Sequence, residues 1–267
     1  MFEFFEKMSV FDNIIFNEDI HKYTIDGKST TSVTQLIHTL EEFDAELQSE
    51  RTANKRRLAG ETDCTAQKVL AEWKQKALIS TEKGTLVHKY IENYLSHKIE
   101  KYPKNHMLDV FNKKDTIEAN YKKIIPMVNK FYKDMLGKMI PLKSEFIVGD
   151  NEFLLCGMID QLFYNKKSKK IEIWDWKTNT EFTLTSKYKL LYPLDYISNS
   201  KLDVYSLQLS LYKYIIMKNT GLELGDSFIA WFSENNDSYR VLKCHDYQKE
   251  IKILLEHHNK SRKANAK

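Results

Sequence analysis

Leu155-Cys156-Gly157-Met158-Ile159-Asp160 and Ile171-Glu172-Ile173-Trp174-Asp175-Trp176-Lys177 stand on either side of a polar stretch, Asn165-Lys166-Lys167-Ser168-Lys169-Lys170. Both runs are rich in β-branched and aromatic residues, and the pattern predicts a β-hairpin. If the turn is symmetric between Lys167 and Ser168, opposed residue numbers have a constant sum. Asn165 then faces Lys170, Tyr164 faces Ile171, Leu162 faces Ile173, and Asp160 faces Asp175. Directly opposed side chains have Cβ atoms about 4.5–5.5 Å apart. Alternation puts Leu162, Tyr164, Ile171 and Ile173 on one face and Ile159, Phe163, Trp174 and Trp176 on the other. A hairpin apolar on both faces is buried on both, and two carboxylates held that close there need a cation between them. Lys177 points to the same face as Asp175. The plainer alternative is a core hairpin with a carboxylate pair at its rim, and the two apolar faces weigh against it. The register requires a turn without a bulge.

The 267 residues can bury a sizeable core, as one large domain or one domain with a helical extension. Hydrophobic residues make up 42% and charged residues 29%, ordinary for a globular protein, and a net charge of +4 does not by itself indicate nucleic acid. Local clusters must carry that case. Cys64, Cys156 and Cys244 are scattered with no C-x-x-C, which argues against a zinc or iron–sulfur site and fits a reducing, cytoplasmic compartment. No apolar run approaches the ~20 residues needed to cross a bilayer, and the acidic opening does not read as a signal peptide. No G-x-x-x-x-G-K-[ST] occurs, so no nucleotide cofactor is expected.

Along the chain, residues 13–27 predict a hairpin, with Thr31-Ser32 capping a short helix from Val33 to Leu40. Residues 41–63 are polar and carry Arg51, Lys55, Arg56 and Arg57, either a solvated element or one that contacts phosphates. A helix is predicted from Thr65 to Leu78, and Ser80-Thr81 opens a second, to about His97, on which His88 and Glu92 share a face. Residues 99–115 read as a loop and Thr116–Lys138 as a long helix with Pro126 inside. Strands follow at 140–148 and 153–164. Residues 178–200 are irregular, interleaving Phe182, Lys187, Tyr188, Lys189, Tyr192 and Tyr196. Asp203–Asn219 predicts an amphipathic helix with Gly221 as C-cap. Two strands, at 227–232 and 239–243, and a helix, Asp246–His258, close the chain before a basic, frayed tail. The order implies an α/β fold, a mixed sheet packed between helices. The divisions expected are 1–79, an N-terminal hairpin and helical extension; 80–259, the core; and 260–267, the tail.

Four spaced pieces then stand in order: Gly84-x-x-x-His88-x-x-x-Glu92, Gly157-x-x-Asp160, Asp175-x-Lys177 and Gln208-x-x-x-Tyr212. In this order they resemble the PD-(D/E)XK nuclease superfamily, with its restriction-endonuclease-like core. More narrowly they resemble the RecB-like exonucleases, the group of the mitochondrial genome-maintenance exonuclease and many phage nucleases. The opening His21-Lys22-Tyr23-x-Ile25-Asp26-Gly27, followed by Ser32-Val33-Thr34-Gln35, is similar to phage-type members, which would put the protein in a host cytoplasm. Three scattered cysteines cannot supply the four-cysteine iron–sulfur cluster of some relatives. The resemblance implies a Mg²⁺- or Mn²⁺-dependent deoxyribonuclease acting in DNA processing, recombination, repair or replication. Oxygen ligands from Asp160 and Asp175 suit either ion at about 2.0–2.2 Å. The resemblance adds His88 and the Trp176 carbonyl as further ligands, Lys177 to orient or deprotonate the attacking water, and Gln208 and Tyr212 to hold the DNA backbone or Lys177. Glu92 would support the ligands, and Glu145, at a position commonly acidic in the family, would either support them or be one. Arg51, Lys55, Arg56, Arg57 and Tyr188 would bind DNA, expected to be single-stranded or to have a free end. Two other readings are a catalytically inactive DNA-binding module, which such complete acidic and lysine positions count against, and a restriction-type endonuclease, which the helical His and the Gln-x-x-x-Tyr helix count against.

Overall fold

The computed structural model describes residues 2–20, 22–95, 114–135 and 137–265. In chain order the elements are α1 (Phe2–Met8), β1 (Ile14–Asn17), β2 (Lys22–Ile25), β3 (Lys28–Ser29), β4 (Thr31–Ser32), α2 (Val33–His38), α3 (Ala45–Leu58), α4 (Ala66–Leu95), α5 (Lys114–Met135), β5 (Met139–Asp150), β6 (Leu155–Asn165), β7 (Lys170–Lys177), α6 (Lys201–Thr220), β8 (Leu224–Trp231), β9 (Arg240–Lys243) and α7 (Gln248–Asn265). They form two compact units, Met1–Glu41 with Val128–Lys267, and Glu42–Met127.

The first unit holds a six-stranded mixed sheet, β4-β6-β7-β8-β9 with β5 on β6, and a small antiparallel sheet, β1-β2-β3. The long β5–β6–β7 meander is antiparallel. β7 and β8 are parallel, and α6 supplies the crossover such a pair requires. On one sheet face α6 packs against β5, β7 and β8. On the other, Phe131 from the end of α5 meets Trp174 at 5.5 Å, Trp176 at 5.6 Å and Phe232 at 5.8 Å between ring centroids. α6 is capped at Ser200, whose side chain accepts the Asp203 N–H, and ends on Gly221 at φ 66. It is less one-sided than its sequence predicts. Val204, Leu207, Leu209, Leu211, Tyr212, Ile215 and Ile216 are all buried, because α2 and α7 pack on it as well as the sheet.

In the second unit α3 and α4 are joined by a buried cluster of Ala53, Cys64 and Val69 with Trp73 against it, and by the Arg56–Glu72 ion pair at 2.8 Å.

Several expectations are corrected. The predicted break at Ser80-Thr81 is absent: α4 runs unbroken from Ala66 to Leu95, so residues 79 and 80 lie inside one helix. Ser and Thr are only weak helix breakers, and no proline stands there. The tail is not frayed from residue 260, since α7 continues to Asn265, with Arg262 donating to the Glu152 carbonyl at 3.2 Å. α1, not foreseen as a helix, buries Phe4 and Met8. Of the loop expected at 99–115, residues 99–113 lie outside the described residues, as does His21, and Lys114 and Asp115 open α5.

Candidate active site

β6 is central and paired along both edges, and its sequence is apolar on both faces because α6 residues cover one and the Phe131, Trp174 and Trp176 rings the other. Its partners on the two edges differ. β5 runs beside it from Leu155 to Asn165. The other edge is divided: β4 takes Leu155 and Cys156, and β7 takes Gln161 to Asn165. Residues 157–160 therefore lie at a fork between β4 and β7. Asp160 is the last residue before the strands join.

The hairpin register agrees with the symmetric turn: Asn165 pairs with Lys170, Tyr164 with Ile171 and Leu162 with Ile173. Pairing ends at Gln161–Trp174, one step before Asp160 and Asp175. There the Asp160 carboxylate replaces a backbone partner, Oδ2 accepting the Trp176 N–H at 2.7 Å. Side-chain alternation also slips at this point. Ile159, expected beside Phe163, Trp174 and Trp176, belongs instead to the apolar cluster that contains Leu162, Ile173 and α6. Residues three apart share a side only where the pleat is interrupted. On β5, Glu145 has the left-handed backbone, φ 46, between Ser144 opposite Gln161 and Phe146 opposite Ile159. Both strands thus depart from regular pleat where the acids stand. A carboxylate oxygen of Glu145 comes within 4.8 Å of one of Asp160.

At the end of β7, Asp175 is 4% exposed and its Oδ2 lies 2.6 Å from Lys177 Nζ. Burial pulls the Lys177 pKa down, but the Asp175 and Asp160 carboxylates outweigh it and hold the ammonium above the ordinary lysine range. The same Nζ sits 4.5 Å from the ring centre of Tyr205 on α6. One turn on, Gln208 Nε2 donates to Tyr212 Oη at 3.3 Å. Burial pushes the Tyr212 phenol well above its usual value, so the hydroxyl stays a donor. Its ring closes over the fork: a Cβ at Gly157 would lie 2.6 Å from Tyr212 Cε1, so only glycine fits beneath it. The two motifs Gly157-x-x-Asp160 and Gln208-x-x-x-Tyr212 are in this way one packing unit.

The fork brings together Asp160, Asp175, Lys177, Trp176 and Glu145, with Gln208 and Tyr212 from α6. Carboxylate oxygens from separate strands are hard donors of the type that suits a hexacoordinate divalent cation, so the residues present fit such an ion. His88 and Glu92 are on α4 of the second unit. So are the basic residues. Arg51 and Lys55 are exposed, Arg56 is paired with Glu72, and Arg57 donates to the Cys64 carbonyl at 2.7 Å and to Asn54. Tyr188, 67% exposed, lies in the segment between β7 and α6, under the Lys187 ammonium. The motifs singled out in the sequence include neither Tyr205 nor Asn179. Here Tyr205 Oη donates to Asn179 Oδ1 at 3.2 Å, and the Tyr205 face meets Lys177. Its spacing three residues before Gln208 was the signal available.

No curated protein matches the chain. Among solved structures it is similar to that of a candidate exonuclease from Eubacterium rectale. The TM-score is 0.44 at 17% identity, over 85% of this chain and 77% of that one. It is also similar to the crystal structure of SSO0001, with a TM-score of 0.37 at 12% identity over 96% and 83%. A sequence profile goes further: residues 65–262, from the start of α4 through the fork and α6 into α7, match one family. With an acid on one strand and an acid-x-lysine on the next, the chain belongs to the PD-(D/E)XK nuclease superfamily.

Proposed function

We propose that the protein is a Mg²⁺- or Mn²⁺-dependent DNA exonuclease of the RecB-like group, without an iron–sulfur cluster, that prefers a single strand with a free end. The observation that carries the catalytic part is the convergence of Asp160, Glu145 and the Asp175–Lys177 pair where β6 and β7 part. Nucleases of this superfamily use divalent metal ions. Asp160 and Asp175 would hold the ion, with Glu145 beside Asp160 and the Trp176 carbonyl between the two motif positions. By the sequence resemblance His88 is proposed as a further ligand, with Glu92 one turn along to orient it. When bound, the ion supplies charge against the phosphate and acidifies water. The protein's own contribution is then positional. Lys177, an ammonium with three donors, would orient the attacking water and offset charge on the scissile phosphate. Tyr212, seated over Gly157, and Gln208, which donates to its hydroxyl, would hold the DNA backbone or Lys177.

The strand preference is supported by the segment between β7 and α6. Leu190, Leu194 and Ile197 are buried, while Tyr188, Tyr192 and Tyr196 stand 67%, 72% and 54% exposed. Rings held outward on a buried footing, with Lys187 and Lys189 among them, suit unpaired bases and their phosphates. Arg51 and Lys55 are proposed as further phosphate contacts, and Arg56 and Arg57 as contacts that would have to leave their present partners. The test is digestion of one DNA as a linear strand, a circularised strand and a blunt duplex, each labelled and supplied with Mn²⁺. The linear strand should be consumed fastest and the circle spared. Equal cutting of the circle would refute the end requirement, and equal cutting of the duplex the strand preference. Binding with no turnover on any of them would favour the inactive module.

A further inference from the structure

Lys177 is held on two sides, and only one of them is a carboxylate. Asp175 Oδ2 lies at 2.6 Å and the centre of the Tyr205 ring at 4.5 Å from Nζ. That is well inside the ~6 Å range over which an ammonium is attracted to an aromatic face. The ring is itself fixed. Its hydroxyl donates to Asn179 Oδ1 at 3.2 Å, and the Asn179 carbonyl accepts the Trp231 indole N–H at 2.7 Å. Phe182 packs against it at 5.7 Å between centroids. The start of α6, which carries Tyr205, is nailed down in turn. Asp203, 7% exposed, accepts from Ser200 Oγ and from Tyr247 Oη, each at 2.6 Å, and Ser206 Oγ accepts the His245 N–H at 3.0 Å.

We propose that Tyr205 is a positioning residue for Lys177, its π face holding the ammonium in place once Asp175 is engaged by a divalent cation. The inference rests on the nuclease reading for its catalytic consequence, but not for the contact itself. Asp175 cannot give its full charge both to an ion and to Lys177. Asp160, the other carboxylate near the ammonium, is a proposed ligand too, whereas the ring face carries no ligand atom and stays available to Lys177. The phenol oxygen points away, to Asn179, and the ring is therefore the part that matters.

Two measurements test this on the full chain. The first is steady-state cleavage of a linear DNA strand by the wild type, Tyr205→Phe, Tyr205→Leu, Lys177→Ala and the Lys177→Ala/Tyr205→Leu double variant. Tyr205→Leu should lower kcat roughly ten- to thirtyfold with KM little changed, Tyr205→Phe should restore most of it, and Tyr205→Leu should add nothing once Lys177 is gone. The second is acylation of Lys177 by an amine-reactive reagent with Mn²⁺ present, read by mass spectrometry. Labelling should rise severalfold in Tyr205→Leu and stay near wild type in Tyr205→Phe. If the leucine variant does not fold, Tyr205→Met serves in its place. Unchanged labelling in the folded leucine or methionine variant, or an equal further loss in the Lys177→Ala background, would overturn the proposal. A wild type that cuts no nucleic acid would overturn the nuclease reading instead, and the labelling would still decide the Tyr205 contact.

Discussion

Asp160 accepts the Trp176 N–H at 2.7 Å, so it ties two strands together besides serving as a proposed ligand. The two roles separate on substitution. Asp160→Asn keeps an acceptor oxygen, whereas Asp160→Ala leaves the N–H without one. Both should abolish Mn²⁺ binding and lower cleavage by at least about a hundredfold, and Ala alone should cost a further 1–2 kcal/mol or so of stability. Calorimetric Mn²⁺ titration and denaturant unfolding check the two halves. Lys177→Ala should instead leave Mn²⁺ binding largely intact while cleavage falls by about two to three orders of magnitude, because an ammonium is not a ligand. Retained cleavage would remove Lys177 from the chemistry. Away from the fork, Asp150 is 1% exposed. Bonds from Lys218, Phe153 and Asn219 outweigh its burial and hold its pKa below the ordinary value. A depressed carboxylate stabilises the fold above its unfolded pKa, about 3.9, and that stability is lost as pH falls through the folded value. Asp150→Asn should therefore cost about 3 kcal/mol at pH 7 and progressively less below pH 4 or so, measured as unfolding free energy against pH.

The β6–β7 hairpin shows what short-range pattern can and cannot carry. Its register was legible because the turn is local and the period-2 alternation on both strands fixes the pairing. The slip at Asp160 was not: the turn at 149–152 announces that β5 pairs with β6, but no residue type announces the left-handed backbone of Glu145 opposite Asp160. The caps of α6 were legible at Gly221, which adopts the left-handed backbone such ends require. Continuity of α4 through Ser80-Thr81 was not, since single weak formers decide little against a long packed helix. The seat of Tyr212 on Gly157 joins residues 55 positions apart in the sequence, and nothing in either motif announces the contact. It also makes a prediction. Gly157→Ala puts a methyl where 2.6 Å separates it from the Tyr212 ring, and should destabilise by about 1–3 kcal/mol and reduce cleavage. Adding Tyr212→Leu should recover part of the stability but not the activity. Thermal unfolding of the single and double variants tests the contact, and additive losses would deny it.

At the scale of the molecule, the chain joins a sheet-based unit with the fork to a helical unit that bears His88, Arg51 and Lys55. Each contributes to the proposed function by different physics: short-range ligation and charge at the fork, and long-range attraction to phosphates from exposed basic residues. The two respond differently to salt. Raising it from about 50 to 200 mM should weaken binding of a DNA strand steeply while leaving kcat at saturating DNA nearly constant. A kcat that falls in parallel would place the salt-sensitive contacts in the chemistry itself. The central claim is that the carboxylates at the fork hold the ion that cleavage requires. Its most direct measurement is cleavage of an end-labelled linear strand by the wild type and by Asp160→Asn, over a Mn²⁺ titration and again with a chelator. Wild-type cleavage should saturate with Mn²⁺ and vanish with the chelator, and Asp160→Asn should cut at no Mn²⁺ concentration. Cleavage that persists in chelator, or an Asp160→Asn protein that cuts at the wild-type rate, would contradict it.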